Sequence, residues 1–125
     1  MMIYTSYFAN IRNIAKDVVF LSIARYNPKG VYIPKYDKFI PPKGILENYK
    51  HNKFYTEERY KEDYYRFILN DRDPFSIYID LEDISKGKDV VLLCYEKSEN
   101  FCHRHLVREW FNNHGIKCEE YVKEN

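Results

Sequence analysis

One short stretch of the sequence holds most of the side chains that can take part in catalysis. Cys94 and Glu96 end an apolar run, and Cys102, His103 and Arg104 follow after a polar turn. A thiol at a helix N-terminus, beside an arginine and a histidine, has a lowered pKa, which a nucleophile or redox thiol requires. A carboxylate at a strand end can act as a general base. These residues therefore indicate an anion-binding or catalytic pocket.

Each of these residues also has a structural explanation. Cys94 ends a continuously apolar run, where a free cysteine is usually part of the core. Cys102 is either a nucleophile or a small residue that fits the tight entry to a helix. Glu96 is a general base, a carboxylate that orients His103 or Arg104, or a surface acid. The sequence leaves these alternatives open.

The cysteines and histidines do not form a familiar zinc motif. Zinc sites use about four nitrogen or sulfur ligands, often with cysteines paired as C-x2-C. Seven residues separate Cys94 from Cys102, and Cys94 belongs to an apolar strand. Cys118 is interpreted as structural. We therefore predict no metal ligands and no cofactor.

The surrounding elements predict a strand, a turn and a helix. Val90–Cys94 is apolar throughout, Glu96–Phe101 is a polar turn, and Cys102 opens a segment with helical period. Unpaired backbone N–H groups and the positive end of the helix dipole attract anions at such a helix N-terminus. Arg104, and His103 when it is protonated, add to that attraction.

The predicted helix has one apolar face. At about 100° per residue, one side collects Leu106, Val107, Trp110 and Phe111, with His103 and His114 in the same arc. The opposite side, interpreted as a solvated face, carries Arg104, His105, Arg108 and Asn112. Residues of the first turn are an exception, because a helix end faces the pocket whatever direction the later turns take.

Two other apolar runs predict strands that end at the same edge of a sheet. Met2–Ser6 ends in polar residues, and Val18–Ala24 stops at Arg25. Runs that are apolar on both faces are typical of parallel sheets covered by helices. Such sheets bind ligands at the carboxyl ends of their strands. We therefore expect Ser6 and Arg25 to meet Cys94 there.

The remaining segments complete an α/β pattern. Residues 26–52 contain four of the five prolines and predict a long, ordered, lid-like loop with a short helix at Gly44–Lys50. Helices are predicted at Thr56–Leu69 and Pro74–Ser85, although alternation in the second also fits a strand. A last strand is predicted at Ile116–Val122.

Length and composition describe one ordinary domain. A chain of 125 residues can bury a core without disulfide bonds or metal ions to stabilise it. A net charge of +1 provides no overall positive electrostatic field to attract nucleic acid. We therefore rank nucleic acid below a small ligand as a partner. The sequence shows no signal peptide and no membrane span, and three cysteines fit a reducing compartment. We expect a cytoplasmic protein, and the sequence does not indicate an oligomeric state.

The chain resembles the DUF488 family, whose signature is a buried strand ending in Cys-x-Glu, a short turn, and Cys-His-Arg opening a helix. The matching residues are Cys94, Glu96, Cys102, His103 and Arg104. The resemblance extends to Thr5, Ser6 and Arg25, and more loosely to the helix around Tyr60 and Tyr64. Family members often have an aspartate two residues before the strand-end arginine, where this chain has Ile23. The resemblance implies a small Rossmann-like α/β domain and leaves the reaction open.

We therefore predict a single α/β domain over residues 1–125, a small Rossmann-like three-layer domain with a mainly parallel sheet. The favoured function is a small enzyme, a hydrolase or transferase, acting on a phosphate-bearing or nucleotide-like ligand. The predicted catalytic residues are Glu96, Cys102 and His103, and the predicted substrate-binding residues are Ser6, Arg25, Cys94 and Arg104. The alternative is a module that binds a ligand in the same pocket, or a protein, without turnover.

Overall fold

The computed structural model describes residues 1–14, 17–96 and 101–121. The chain forms four strands, β1 (Ile3–Tyr7), β2 (Val18–Ser22), β3 (Asp89–Cys94) and β4 (Cys118–Glu120). They make one sheet in the order β2-β3-β1-β4, with every pair parallel. The predicted α/β class and parallel sheet are confirmed.

The central strand β3 sets the register of the sheet. Its residues from Val90 to Leu93 are fully buried, as expected for a parallel strand covered on both faces. Leu93 pairs with Ser6 of β1 and with Ser22 of β2. The carboxyl ends of β1, β2 and β3 therefore meet at one edge, as predicted.

Two strands are shorter than predicted. β2 ends at Ser22, whose outer edge pairs with Lys35 in a parallel bridge, although the Ile23 N–H still donates to the Leu93 carbonyl at 3.0 Å. β4 covers only Cys118–Glu120 of the predicted run. Val122 and most of the turn predicted after Glu96 lie outside the described residues.

The helices are α1 (Lys43–His51), α2 (Glu57–Tyr64), α3 (Pro74–Ser85) and α4 (His103–Asn113). α1 confirms the short helix predicted within residues 26–52. α2 continues as a π-helical turn over Tyr65–Leu69, so the helical pattern from Thr56 to Leu69 is also confirmed. Within the described residues, none of the helices combines the length and the apolar character that crossing a bilayer requires.

The sequence pattern after Asp73 fits both a strand and a helix, and in the structure this segment is a helix. The Asp73 carboxylate accepts hydrogen bonds from the Phe75 N–H at 3.2 Å and the Ser76 hydroxyl at 2.9 Å, and Pro74 occupies the first turn. Both are helix-start signals, and together they outweigh the alternation of apolar residues.

The apolar cluster on one face of the sheet is larger than the cluster on the other face. All four named helices pack on one face of the sheet, where Phe39, Tyr64, Leu81 and Phe111 are buried in the larger apolar cluster. The opposite face has a smaller cluster, covered by the 3-10 turn Phe8–Asn13 and by apolar residues of the segment after β2. The third layer of this α/β domain is therefore thin.

The apolar face of α4 is buried as predicted, since Leu106, Val107, Trp110 and Phe111 are all in the core. Two residues of this helix differ in exposure from the face on which helical periodicity places them. His114 is exposed, because it lies at the end of the helix, where its ring nitrogen bonds to the Trp110 carbonyl. Arg104 is fully buried, although it was placed on the solvated face.

Candidate functional site

A cavity of about 400 Å³ lies at the carboxyl ends of β2 and β3. One wall comes from Arg25 and its neighbours after β2, and another from α1 and the first half of α2. The strand–helix junction contributes Cys94, Glu96, Cys102 and His103. The fold therefore gathers five of the seven predicted site residues around one space.

The other two, Ser6 and Arg104, do not line this cavity. The Ser6 hydroxyl donates to the Tyr121 carbonyl at 2.9 Å and accepts from the Asn10 amide at 3.1 Å. These bonds use the hydroxyl to hold the chain after β4 against β1. Ser6 thus has its partners within the protein, and so does Arg104.

Arg104 forms a buried ion pair with Glu120 of β4. Its Nη2 lies 2.9 Å from Oε2 and its Nε lies 3.1 Å from Oε1, while the Thr5 hydroxyl donates to the same carboxylate at 2.6 Å. The guanidinium also lies over the Tyr7 ring. Burial opposes the charge, but the hydrogen bonds to Glu120 and the nearby thiols outweigh it and raise the pKa of Arg104. Arg104 therefore fastens the first turn of α4 to the sheet.

Three residues, Cys94, Cys102 and His103, form what we call the cysteine–histidine cluster. His103 Nε2 lies 2.6 Å from the Ile23 carbonyl oxygen. A carbonyl can only accept, so Nε2 carries the proton and, in the neutral ring, Nδ1 has the free lone pair. Nδ1 lies 3.7 Å from the Cys94 sulfur and 3.9 Å from the Cys102 sulfur. The backbone just after β2 thus holds the imidazole beside both thiols, and the Cys94 sulfur is also 4.0 Å from Nε2.

The two cysteines differ in acidity. Burial alone would raise the pKa of Cys102, but the hydrogen bond from Cys94, the adjacent His103 ring and the positive charge of Arg104 hold that pKa well below its ordinary value. The hydrogen bond to Cys102, with burial, raises the pKa of Cys94 well above its ordinary value. Cys102 is therefore the more acidic thiol of the pair, as the sequence setting of Cys102 indicated.

The cluster can also hold a metal ion. Its three donor atoms lie within 4.8 Å of one another, and each residue is buried. The sequence spacing disfavoured a metal because seven residues separate Cys94 from Cys102. Parallel pairing and the turn into α4 bring the strand end and the helix start together, so chain spacing did not measure spatial separation.

The cavity has aromatic walls that the sequence analysis did not assign to the site. Tyr49, Tyr60 and Phe101 contact one another edge to face, with ring centroids 5.1 to 5.4 Å apart. Lys50 of α1 also lines the space. Nε of Arg25 is enclosed and has no hydrogen-bond partner in the described part of the chain. The only sequence signal for these walls was the aromatic content of residues 26–52 and of the predicted helix from Thr56.

Comparison with known proteins identifies the family. The family model DUF488-N3a, described as the active DUF488-N3 subclade, matches residues 3–115. The match includes β1, β2 and the whole cysteine–histidine cluster with Glu96 and Arg104. No curated protein and no solved structure matches the chain. Because the family model covers most of its length, the chain belongs to the DUF488 family.

Proposed function

We propose that this protein is a small cytoplasmic enzyme, a hydrolase or transferase, that acts on a phosphate-bearing, nucleotide-like substrate in the cavity at the ends of β2 and β3. One observation carries the proposal. The cysteine–histidine cluster lines the same cavity as Arg25, whose Nε is enclosed without a partner among the described residues.

The cations of the cavity favour an anionic group. An enclosed donor that lacks a partner costs about 1–3 kcal/mol, and a ligand oxygen that accepts its hydrogen removes that cost. The arginine fork also matches the geometry of a phosphate. Lys50 lines the same space and adds a second positive charge. Arg25 and Lys50 are therefore the proposed phosphate-binding residues.

The aromatic walls favour a planar group beside that anion. Tyr49, Tyr60 and Phe101 offer ring faces and edges in a space of about 400 Å³, a size typical of small-molecule sites. Bases stack on such rings with little regard to their identity. A phosphate joined to a planar base meets both the rings and the cations, which is why we propose a nucleotide-like substrate.

The proposed chemistry takes place at the junction of β3 and α4. Cys102 and His103 lie at the first turn of α4, where backbone N–H groups stabilise negative charge. Glu96 is exposed and lines the cavity, so it can exchange a proton with the substrate and with water. The cluster supplies the reactive group, and Glu96 moves the proton.

The cysteines support the proposed compartment. Cys94, Cys102 and Cys118 are all free and buried. The short distance between the first two makes them prone to form a disulfide in an oxidising environment. A reducing cytoplasm keeps such thiols available for chemistry.

The proposal is tested by ligand screening against thermal unfolding. Nucleotides, sugar phosphates and simple anions are screened against the wild type, Arg25→Ala and Lys43→Ala. Lys43 begins α1 but does not line the cavity, so its variant is the matched control for loss of a positive charge. A ligand at a hundredfold excess over its Kd stabilises the native state by about 2.7 kcal/mol.

We expect a nucleotide-like ligand to raise the unfolding temperature of the wild type and of Lys43→Ala, with the shift lost in Arg25→Ala. The ligand is then incubated with the wild type and with Glu96→Gln, and its conversion is followed by chromatography. Binding with no conversion would overturn the proposed enzymatic activity and leave the alternative function, a ligand-binding module. A panel without any stabilising ligand would overturn the anion pocket itself.

A further inference from the structure

The cysteine–histidine cluster has the composition of a zinc site. Two sulfurs and one imidazole nitrogen are borderline-soft donors of the kind that zinc selects. Cys94, Cys102 and His103 are each about 5% exposed, and their donor atoms lie within 4.8 Å of one another. An ion between them would be shielded from bulk water on the protein side and open toward the cavity.

The distances agree with tetrahedral coordination. Zinc–sulfur bonds of about 2.3 Å and zinc–nitrogen bonds of about 2.05 Å at a tetrahedral angle place sulfur and nitrogen about 3.6 Å apart. The observed distances from His103 Nδ1 are 3.7 Å to the Cys94 sulfur and 3.9 Å to the Cys102 sulfur. The Cys94 sulfur is also 4.0 Å from Nε2, so it lies beside the ring, and completing the three bonds requires a rotation of the Cys94 side chain toward the Nδ1 lone pair.

The orientation of His103 is a second, independent observation. Histidines that bind metals usually donate their other ring N–H to a carboxylate or a backbone carbonyl, which fixes the tautomer and the ring direction. The bond from His103 Nε2 to the Ile23 carbonyl, 2.6 Å long, does this. It leaves Nδ1 as the free donor, less than 4 Å from both sulfurs.

We propose that Cys94, Cys102 and His103 bind a zinc ion whose fourth position opens into the cavity. Structural zinc sites are closed by four protein ligands, whereas catalytic ones have three and keep one position for water or substrate. The described residues supply three donors in this group. The inference rests on the proposed function only in treating the cavity as the active site, and it names an oxygen of water or of the substrate as the fourth ligand.

The test measures zinc in the purified chain. Protein made without a histidine tag and purified without chelator is analysed by mass spectrometry of its metals. We expect about one zinc per chain in the wild type and in Cys118→Ser, and a loss of at least tenfold in Cys94→Ser, Cys102→Ser and His103→Ala. Cys118 is a buried cysteine of β4 outside the cluster, so its variant controls for losing a thiol.

Cobalt provides a readout that does not depend on variants that fold poorly. The wild-type chain is stripped of metal and titrated with cobalt(II). Thiolate-to-cobalt absorption in the near ultraviolet and intense visible bands of a tetrahedral ion are expected, saturating at about one equivalent. A wild type that copurifies with no zinc and develops no cobalt bands would overturn the site, and would assign the close contacts to hydrogen bonds between thiols and imidazole.

The two proposals fail separately. Zinc in the chain without any ligand response in the thermal screen would keep the metal site and overturn the proposed substrate. A nucleotide-like ligand that binds through Arg25, in a chain that binds neither zinc nor cobalt, would keep the proposed substrate and overturn the metal site.

Discussion

Replacing Glu120 by glutamine would test how firmly α4 is fastened to the sheet. Arg104 is fully buried, and Glu120 is its carboxylate partner. In Glu120→Gln the guanidinium keeps its charge and its burial but loses its counter-ion. Removing one partner of a buried pair costs about 3–5 kcal/mol. The glutamine keeps one carbonyl acceptor, so we expect the lower end, about 3 kcal/mol.

That loss is large for a domain of this kind. Native domains are stable by about 5–15 kcal/mol, and 3 kcal/mol raises the unfolded fraction by more than a hundredfold. Urea unfolding can be followed by the fluorescence of Trp110, the single tryptophan, which is buried in the core. We expect a lower urea midpoint with an unchanged slope, since the surface exposed on unfolding does not change.

The neighbouring residue provides the control. Glu119 pairs with Lys117 at 3.3 Å, with half or more of each side chain exposed. Exposed pairs contribute about 0–1 kcal/mol, so Glu119→Gln is expected to change stability little. A double variant, Arg104→Met with Glu120→Met, is expected to recover most of the loss, because it removes both charges of the pair and leaves neither without its partner. Equal, small effects for Glu119→Gln and Glu120→Gln would refute the reasoning.

Two further predictions concern α3. Asp73→Ala removes the N-cap of this helix and is expected to cost about 1 kcal/mol in urea unfolding, whereas Asp73→Ser should retain most of the stability. The Asp80 carboxylate accepts hydrogen bonds from Tyr36 and Lys38, which lower its pKa. The ionised Asp80 carboxylate therefore contributes to folding stability at pH 7, and this contribution is lost as the pH falls below about 4. The stability difference between wild type and Asp80→Asn should accordingly shrink between pH 7 and pH 3. A difference that stays constant would mean that the charge of Asp80 plays no part.

Much of the fold was predictable because its signals are local. The run from Val90 to Cys94 is apolar at every position, so a buried parallel strand follows from the sequence alone. The spacing of Leu106, Val107, Trp110 and Phe111 defines the buried face of α4 in the same way. Arg25 and Cys94 were expected to meet because parallel strands end at one edge, and they do line one cavity.

The environment of Arg104 was not predictable in this way. Its partner Glu120 lies sixteen residues away in a strand that pairs with β1, and helical periodicity contains no information about that pairing. The cysteine–histidine cluster has the same origin. The His103 ring is fixed by the backbone carbonyl of Ile23, just after β2 and eighty residues earlier, and a carbonyl has no signature in the sequence. Contacts that depend on tertiary pairing therefore escape an analysis of local patterns.

The segment after β2 also covers the outer edge of that strand at Ser22. An edge strand with unpaired N–H and C=O groups invites pairing with another chain. Here the Ser22 N–H donates to the Pro34 carbonyl at 2.7 Å, and the Tyr36 N–H donates to the Ser22 carbonyl at 2.8 Å. The covering chain begins with a proline, which has no N–H to offer to a further strand. Residues that line the cavity thus belong to a segment that also blocks growth of the sheet, and loosening it would expose β2 to aggregation.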